Sequence, residues 1–218
     1  ILAMCVSIFG CKRSTGEAVD LKQEYFPSGI GTYVTYDVTE IVHGFDHDTS
    51  IYQLKEIITA DFIDDEGRVA QRVERYRRDS SNGLWNIKDV WHSVRTSRTA
   101  EKTEEDVRYI KMVYPVTDFK VWDGNAYNTE IEWEYYYDSI DYEDVVGTFA
   151  FDSLLYVRQR EEHNFVAYEN AFEIYAKHVG MVQRQFIDMD IRSGNYIHSD
   201  SIIEGTELYQ TLIDYGVE

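Results

Sequence analysis

A strict alternation of residue types between positions 130 and 137 constrains the fold more than any other feature of this sequence. Apolar or aromatic residues occupy the odd positions, and glutamates occupy three of the even ones, in the order Glu130, Ile131, Glu132, Trp133, Glu134, Tyr135, Tyr136, Tyr137. Successive side chains of a β-strand point to opposite faces of the sheet. The pattern therefore predicts a strand that is buried on one face and exposed on the other.

The same period of two recurs along the chain. It predicts further strands at Thr32–Val42, Ile51–Asp64, Arg68–Arg78, Leu84–Thr96, Val107–Tyr114, Thr148–Arg160, Met181–Asp190 and Gly205–Tyr215. Turn signals such as Asp64-Asp65-Glu66-Gly67 separate several of them. The polar stretch Ser97–Asp106 is predicted to be a loop. Asn164–Gly180 is the one candidate helix, because Tyr168, Phe172, Tyr175 and Val179 fall at helical spacing.

Composition supports a chain made mainly of strands, with 18 Tyr, 10 Phe and 4 Trp but only 2 Pro. We therefore predict an all-β fold, an antiparallel meander of about ten strands with at most one short helix. A twisted sheet of this size is expected to curl into a barrel-like or strongly curved shape.

The first eleven residues predict where the protein is located. Residues 1–10 are apolar and uncharged, which is typical of a signal-peptide core and too short to span a membrane. Ile8-Phe9-Gly10-Cys11 resembles a lipobox, in which the cysteine is acylated after cleavage. We therefore expect a truncated signal peptide over 1–10, a lipidated Cys11 with a flexible tether over 11–24, and a single β domain over 25–218.

Three further stretches suggest a family. Tyr25–Asp37, Trp122–Asn125 and Tyr175–Val182, together with the leader, resemble uncharacterised outer-membrane lipoproteins of Bacteroidota. The resemblance implies a β-rich domain in the bacterial cell envelope, attached to the membrane through Cys11. It supplies no catalytic residues. Because Lys12 and Arg13, and no acids, follow the cysteine directly, the resemblance implies a protein that faces the periplasm.

The charge of the chain limits its partners. The formal net charge is −19, and residues 121–157 contain nine acids and no Lys or Arg. Such a field repels nucleic acid, so we expect no nucleic-acid partner. A basic envelope protein is a candidate partner for the acidic stretch.

Motifs for catalysis and cofactor binding are absent from the sequence. It contains no G-x-S-x-G, S-x-x-K, P-loop or G-x-G-x-x-G motif. We expect no cofactor and no enzymatic activity. The best candidate metal ligands are His43, Asp46, His47 and Asp48, which would suit Zn²⁺ in a metal-dependent hydrolase. Hydrated turn residues are the simpler interpretation.

Two functions fit such a domain. In one, aromatic side chains on inward faces line a cavity for a small apolar or lipid ligand, with candidates Trp85, Trp91, Trp122, Trp133 and Tyr135. In the other, these side chains fill the core and the protein acts through its surface as a scaffold or binding module. The sequence alone favours the scaffold, because core filling is the usual role of such residues.

Overall fold

A computed structural model describes residues 18–192 and 202–218. Within these residues the only helical element is a 3₁₀ turn at Gln23–Tyr25. Twelve strands follow: β1 (Thr32–His43), β2 (Asp48–Ile63), β3 (Val69–Arg78), β4 (Asn86–Arg95), β5 (Thr99–Glu104), β6 (Val107–Val113), β7 (Val121–Asp123), β8 (Glu134–Val146), β9 (Phe149–His163), β10 (Ala167–Ala176), β11 (Gly180–Ile191) and β12 (Ile202–Val217). The predicted leader, Cys11 and the first half of the predicted tether, residues 11–17, lie outside the described residues.

All twelve strands form one antiparallel sheet. Its order is β6-β5-β4-β3-β2-β1-β12-β11-β10-β9-β8-β7. The first and last strands pair in the middle of the sheet, from Thr32 opposite Val217 to His43 opposite Gly205. The two edges of the sheet are therefore β6 and β7, which are consecutive in the sequence.

These two edges meet and nearly close the sheet into a barrel. The Ile110 amide of β6 donates a hydrogen bond to the Gly124 carbonyl, just after β7, at 2.9 Å. Tyr137 crosses the same seam, because its hydroxyl accepts from the Val113 amide at 3.0 Å and donates to the Val113 carbonyl at 2.7 Å. The Trp122 indole donates to the Ile110 carbonyl at 2.9 Å. The predicted all-β, barrel-like meander is confirmed.

Three element predictions were wrong in whole or in part. The strand predicted over 130–137 begins only at Glu134, so residues 130–133 lie in the β7–β8 turn. Residues 164–180 form no helix but the β9–β10 turn, strand β10, the β10–β11 turn and the first residue of β11. Bulges at Ala171/Phe172 and Ile174/Tyr175 shift the alternation of side chains, so the apolar spacing imitates a helical one. The predicted loop Ser97–Asp106 contains strand β5, whose charged side chains pair with partners across the sheet and do not mark a solvated turn.

The two ends of the barrel differ. One end carries the turns β2–β3, β4–β5, β6–β7, β8–β9 and β10–β11, and we call it the plugged end. Residues 18–26 lie there, and Tyr25 is completely buried with its hydroxyl donating to Asp141 at 2.7 Å. Arg95 donates to the carbonyls of Gln23 and Phe26 at 3.1 and 2.7 Å. The opposite end carries the turns β1–β2, β3–β4, β5–β6, β7–β8 and β9–β10, and we call it the loop end.

Candidate functional site

A buried ionic cluster lies across the interior of the barrel. Lys111 of β6 places its Nζ atom 2.8 Å from Glu104 Oε1 and 2.9 Å from Glu173 Oε1, and its side chain is only 3% exposed. Glu173 belongs to β10, which pairs with β9 and β11 and not with β6. Side chains from strands that are not neighbours meet here through the interior.

Arg184 and Tyr175 complete this group. Arg184 Nη1 lies 3.1 Å from Glu104 Oε2, and the Tyr175 hydroxyl donates to Glu173 at 2.5 Å. Burial alone would raise the pKa of both glutamates, but the charges of Lys111 and Arg184 outweigh it and lower the pKa of each. The pKa of Lys111 is raised, because the two carboxylates outweigh the effect of burial. The two glutamates, Lys111 and Arg184 are therefore all charged at neutral pH, and the two negative charges compensate the two positive ones.

A second interior group continues the network toward β2 and β3. Glu56 accepts from Lys102 at 2.6 Å and from Arg75 at 3.0 Å. Arg75 also pairs with Asp89 at 2.9 Å, and its guanidinium lies 3.4 Å from the ring centroid of Trp91. Each group contains two carboxylates and two basic side chains, so the charges within each group cancel.

The ionic cluster separates two cavities. Lys111 lines both of them. The cavity toward the plugged end has about 80 Å³ and lies beneath Phe26 and Pro27. The cavity toward the loop end has about 300 Å³, and we call it the loop-end cavity. That volume is at the lower limit of cavities that bind small molecules.

Aromatic side chains form much of the wall of the loop-end cavity: Tyr109, Trp133, Tyr135 and Phe186. The rings of Trp133 and Phe186 stack with their centroids 6.0 Å apart and their planes 21° apart. Tyr135 is buried and packs edge-on against Trp122 at 5.9 Å. Stacked and edge-on aromatic pairs are favourable, so this wall is held in place before any ligand arrives.

Two buried side-chain nitrogens in the same wall have no hydrogen-bond partner among the described residues, Nε of Arg184 and Nε2 of Gln159. Gln159 of β9 is 3% exposed, and its Nε2 atom makes no hydrogen bond with any other described residue. An unpaired buried donor costs about 1–3 kcal/mol. A ligand that presents an acceptor oxygen to Gln159 would recover that cost.

Acidic side chains surround the mouth of the cavity. Glu130, Glu169 and Asp188 line it, and an adjoining recess of about 220 Å³ adds Asp190 and Glu204. The pKa of Asp188 is raised by burial and by the nearby charges of Glu169 and Asp190.

The five aromatic candidates from the sequence separate into different environments. Trp133 and Tyr135 line the loop-end cavity, whereas Trp122 is a core residue. Trp91 is buried in the interior beneath Arg75. Trp85 lies in the β3–β4 turn, where the guanidinium of Arg78 is 4.3 Å from its ring centroid.

The candidate metal loop is occupied by other contacts. His43 Nε2 lies 2.7 Å from Glu207 Oε1, and the rings of His43 and His47 are 5.1 Å apart. Asp46 and Asp48 flank the second histidine in the sequence. Over residues 18–192 and 202–218, no group of three or more His, Cys, Asp or Glu residues is arranged to hold a metal ion.

The chain was compared with protein-family models, with curated proteins and with solved structures, and none of them matches it. None of the helical segments in the described part of the chain has the length and hydropathy of a membrane span. The function is therefore inferred from the geometry of the barrel.

Proposed function

We propose that this chain is a non-enzymatic binding protein that holds a small ligand in the loop-end cavity. The observation that carries the proposal is the cavity itself, a pocket of about 300 Å³ with a preformed aromatic wall and an unpaired amide at Gln159. Rigid aromatic surfaces with a few placed polar groups are typical of small-molecule sites.

The sequence alone favours a surface scaffold over a ligand-binding protein, and the cavity reverses that preference. A surface scaffold would use a barrel whose interior is filled by side chains. Here charged residues occupy the middle of the barrel, and the aromatic residues Trp133 and Phe186 border open space. Binding in the interior is therefore favoured over action through the acidic surface.

The interior charges support binding over catalysis. A general acid or base works best when its pKa lies near the working pH. The pKa values of Glu104 and Glu173 are lowered and that of Lys111 is raised, because these residues pair with one another. Proton exchange at neutral pH is thereby disfavoured.

The test uses N-phenyl-1-naphthylamine, a neutral aromatic probe whose fluorescence rises in apolar surroundings. We expect saturable binding of one probe per chain. Trp133→Ala removes half of the stacked wall and should weaken binding about tenfold. Trp85→Ala is the matched control, since Trp85 lies outside the cavity, and it should bind like the wild type. No saturable binding, or equal weakening by both variants, would overturn the proposal.

We also propose that Cys11 anchors the protein in the cell envelope, on the sequence of residues 1–11 alone. A single acyl chain holds a protein only marginally, whereas two or more hold it firmly. The wild type should fractionate with membranes, and Cys11→Ala should yield an unprocessed or soluble product. Ser14→Ala serves as the control for a substitution near the site. A soluble wild-type protein with an intact Cys11 would contradict the anchor.

A further inference from the structure

We propose that the ligand of the loop-end cavity carries an ammonium group, held at the mouth between Asp188 and Glu169 and beside the rings of Trp133 and Phe186. This inference rests on the proposed function, because it assigns a chemical class to the molecule that the cavity binds.

The register of the sheet places two acids in direct opposition. In the β10–β11 ladder, Glu169 is the partner of Asp188. Like charges directly opposite each other destabilise a sheet. Arg160 forms an ion pair with Glu169 and so compensates one of the two. The pKa of the other, Asp188, is raised. Burial and the negative charges of Glu169 and Asp190 raise it by more than the positive charge of Arg160 lowers it.

The surroundings add negative charge. Glu130 lines the same cavity, and Asp190 and Glu204 line the recess that shares Phe186 and Asp188 with it. The chain as a whole carries a formal charge of −19. Lys111 and Arg184 also line the cavity, but they pair with Glu104 and Glu173, so the acids at the mouth leave an excess of negative charge there. Such an excess concentrates ligands of the opposite sign.

Aromatic faces stand next to these acids. Phe186 precedes Asp188 by two residues in β11, so the two side chains lie on the same face of the sheet. The face of an aromatic ring attracts cations. The guanidinium of Arg160 already lies 5.8 Å from the ring centroid of Trp133, so this ring system accommodates positive charge.

The deeper part of the cavity recognises a different group. Lys111 and Arg184 form ion pairs with Glu104 and Glu173, but the Nε atom of Arg184 and the amide nitrogen of Gln159 have no hydrogen-bond partner within the described part of the chain. Both are donors, so both favour an acceptor oxygen. The ligand that fits both regions is an organic ammonium with an apolar or aromatic body and an acceptor oxygen directed inward.

The test compares three probes of similar size on the full chain: benzyltrimethylammonium, benzyl alcohol and benzenesulfonate. Isothermal titration should show that the cation binds about tenfold more tightly than the alcohol and that the sulfonate binds weakest. Added salt should weaken binding of the cation and leave binding of the alcohol almost unchanged.

Asp188→Asn keeps the shape of the side chain and removes its charge. It should weaken binding of the cation about tenfold and leave binding of the alcohol unchanged. Asp118→Asn is the matched control, because Asp118 is an exposed acid in the β6–β7 turn at the plugged end. It should bind all three probes like the wild type, and circular dichroism should show that both variants are folded.

The outcomes separate the two proposals. If the neutral probes bind in the cavity and the cation binds no better, or if Asp188→Asn leaves binding of the cation unchanged, the ammonium assignment is wrong and the proposed function stands. If no probe of any charge binds, the proposed function fails, and the ammonium assignment fails with it.

Discussion

Lys111→Met is expected to lower the free energy of unfolding by about 3–5 kcal/mol, because it leaves buried charges without their partner. The methionine fills nearly the same volume and cannot compensate Glu104 or Glu173, which both lie within 2.9 Å of the lysine nitrogen. Two buried carboxylates would then share only Arg184. Urea denaturation followed by circular dichroism measures the loss.

Lys88→Met is the matched control. Lys88 pairs with Asp89, but its side chain is 34% exposed. Such pairs contribute about 1 kcal/mol or less, so this variant should be nearly as stable as the wild type. Neutralising one acid as well, in Lys111→Met combined with Glu173→Gln, should recover part of the loss, because it leaves Glu104 paired with Arg184. A Lys111→Met protein within about 1 kcal/mol of the wild type would contradict the ionic cluster, since removing one partner of a buried pair is expected to cost several times more.

The same cluster determines a response to acid. Burial raises the pKa of Glu104, but Lys111 and Arg184 lower it below its ordinary value of 4.5. A carboxylate whose pKa is lowered on folding adds stability above its unfolded pKa, and this stability is lost as the pH falls through the folded value. The wild type should therefore lose stability below about pH 4.5, and Lys111→Met should lose less over the same range.

Tyr25→Ala is expected to cost about 3–5 kcal/mol, the second large effect. Tyr25 is completely buried at the plugged end, in one cluster with Phe26, Tyr175 and Leu155. Truncation leaves a cavity there and removes the hydrogen bond from its hydroxyl to Asp141. Thermal unfolding followed by circular dichroism measures the change.

Tyr25→Phe separates the two contributions. It keeps the ring and loses only the hydroxyl, so it should cost about 1–2 kcal/mol. If Tyr25→Ala were no less stable than Tyr25→Phe, the ring would contribute nothing to the core. The account of residues 18–26 as a closure of the barrel would then be wrong.

The fold was predictable where one face of a strand is apolar and the other polar. In β1, Val34, Tyr36 and Val38 alternate with polar residues, which predicts that they share a buried face, and all three are buried. The pattern misled where the interior itself is charged. Glu56 is buried within β2, and β5 was predicted to be a loop because its sequence is rich in charge. The two faces of a strand cannot be told apart by polarity when the buried face carries ion pairs.

The sequence pattern also assigns some residues to the interior that lie outside it. Strict alternation from Leu54 and Ile58 predicts that Phe62 faces inward, but it is exposed and packs edge-on against His92. Trp85 was placed on the inward face of β4, whereas the strand begins one residue later, at Asn86. A bulge between Ile58 and Ala60 reverses the alternation in β2, so Phe62 lies on the outer face, and Trp85 lies in the turn that precedes β4.

The site was only partly visible in the sequence. Trp133 and Tyr135 were identified as candidate ligand contacts because they belong to the clearest alternating stretch. Gln159 and Asp188 gave no such signal, since their importance depends on partners brought near by strand register. With 40 acids in the chain, no single carboxylate could be singled out before that register was known.

The most direct test of the central claim is native mass spectrometry of the protein purified from the organism that makes it. We expect one small molecule bound to most copies of the wild-type chain, absent from Trp133→Ala and retained by Trp85→Ala, with no protein partner in stable association. A wild-type chain that carries no small molecule and co-purifies with a basic protein would contradict the account, because it would identify the acidic surface, and not the cavity, as the functional site.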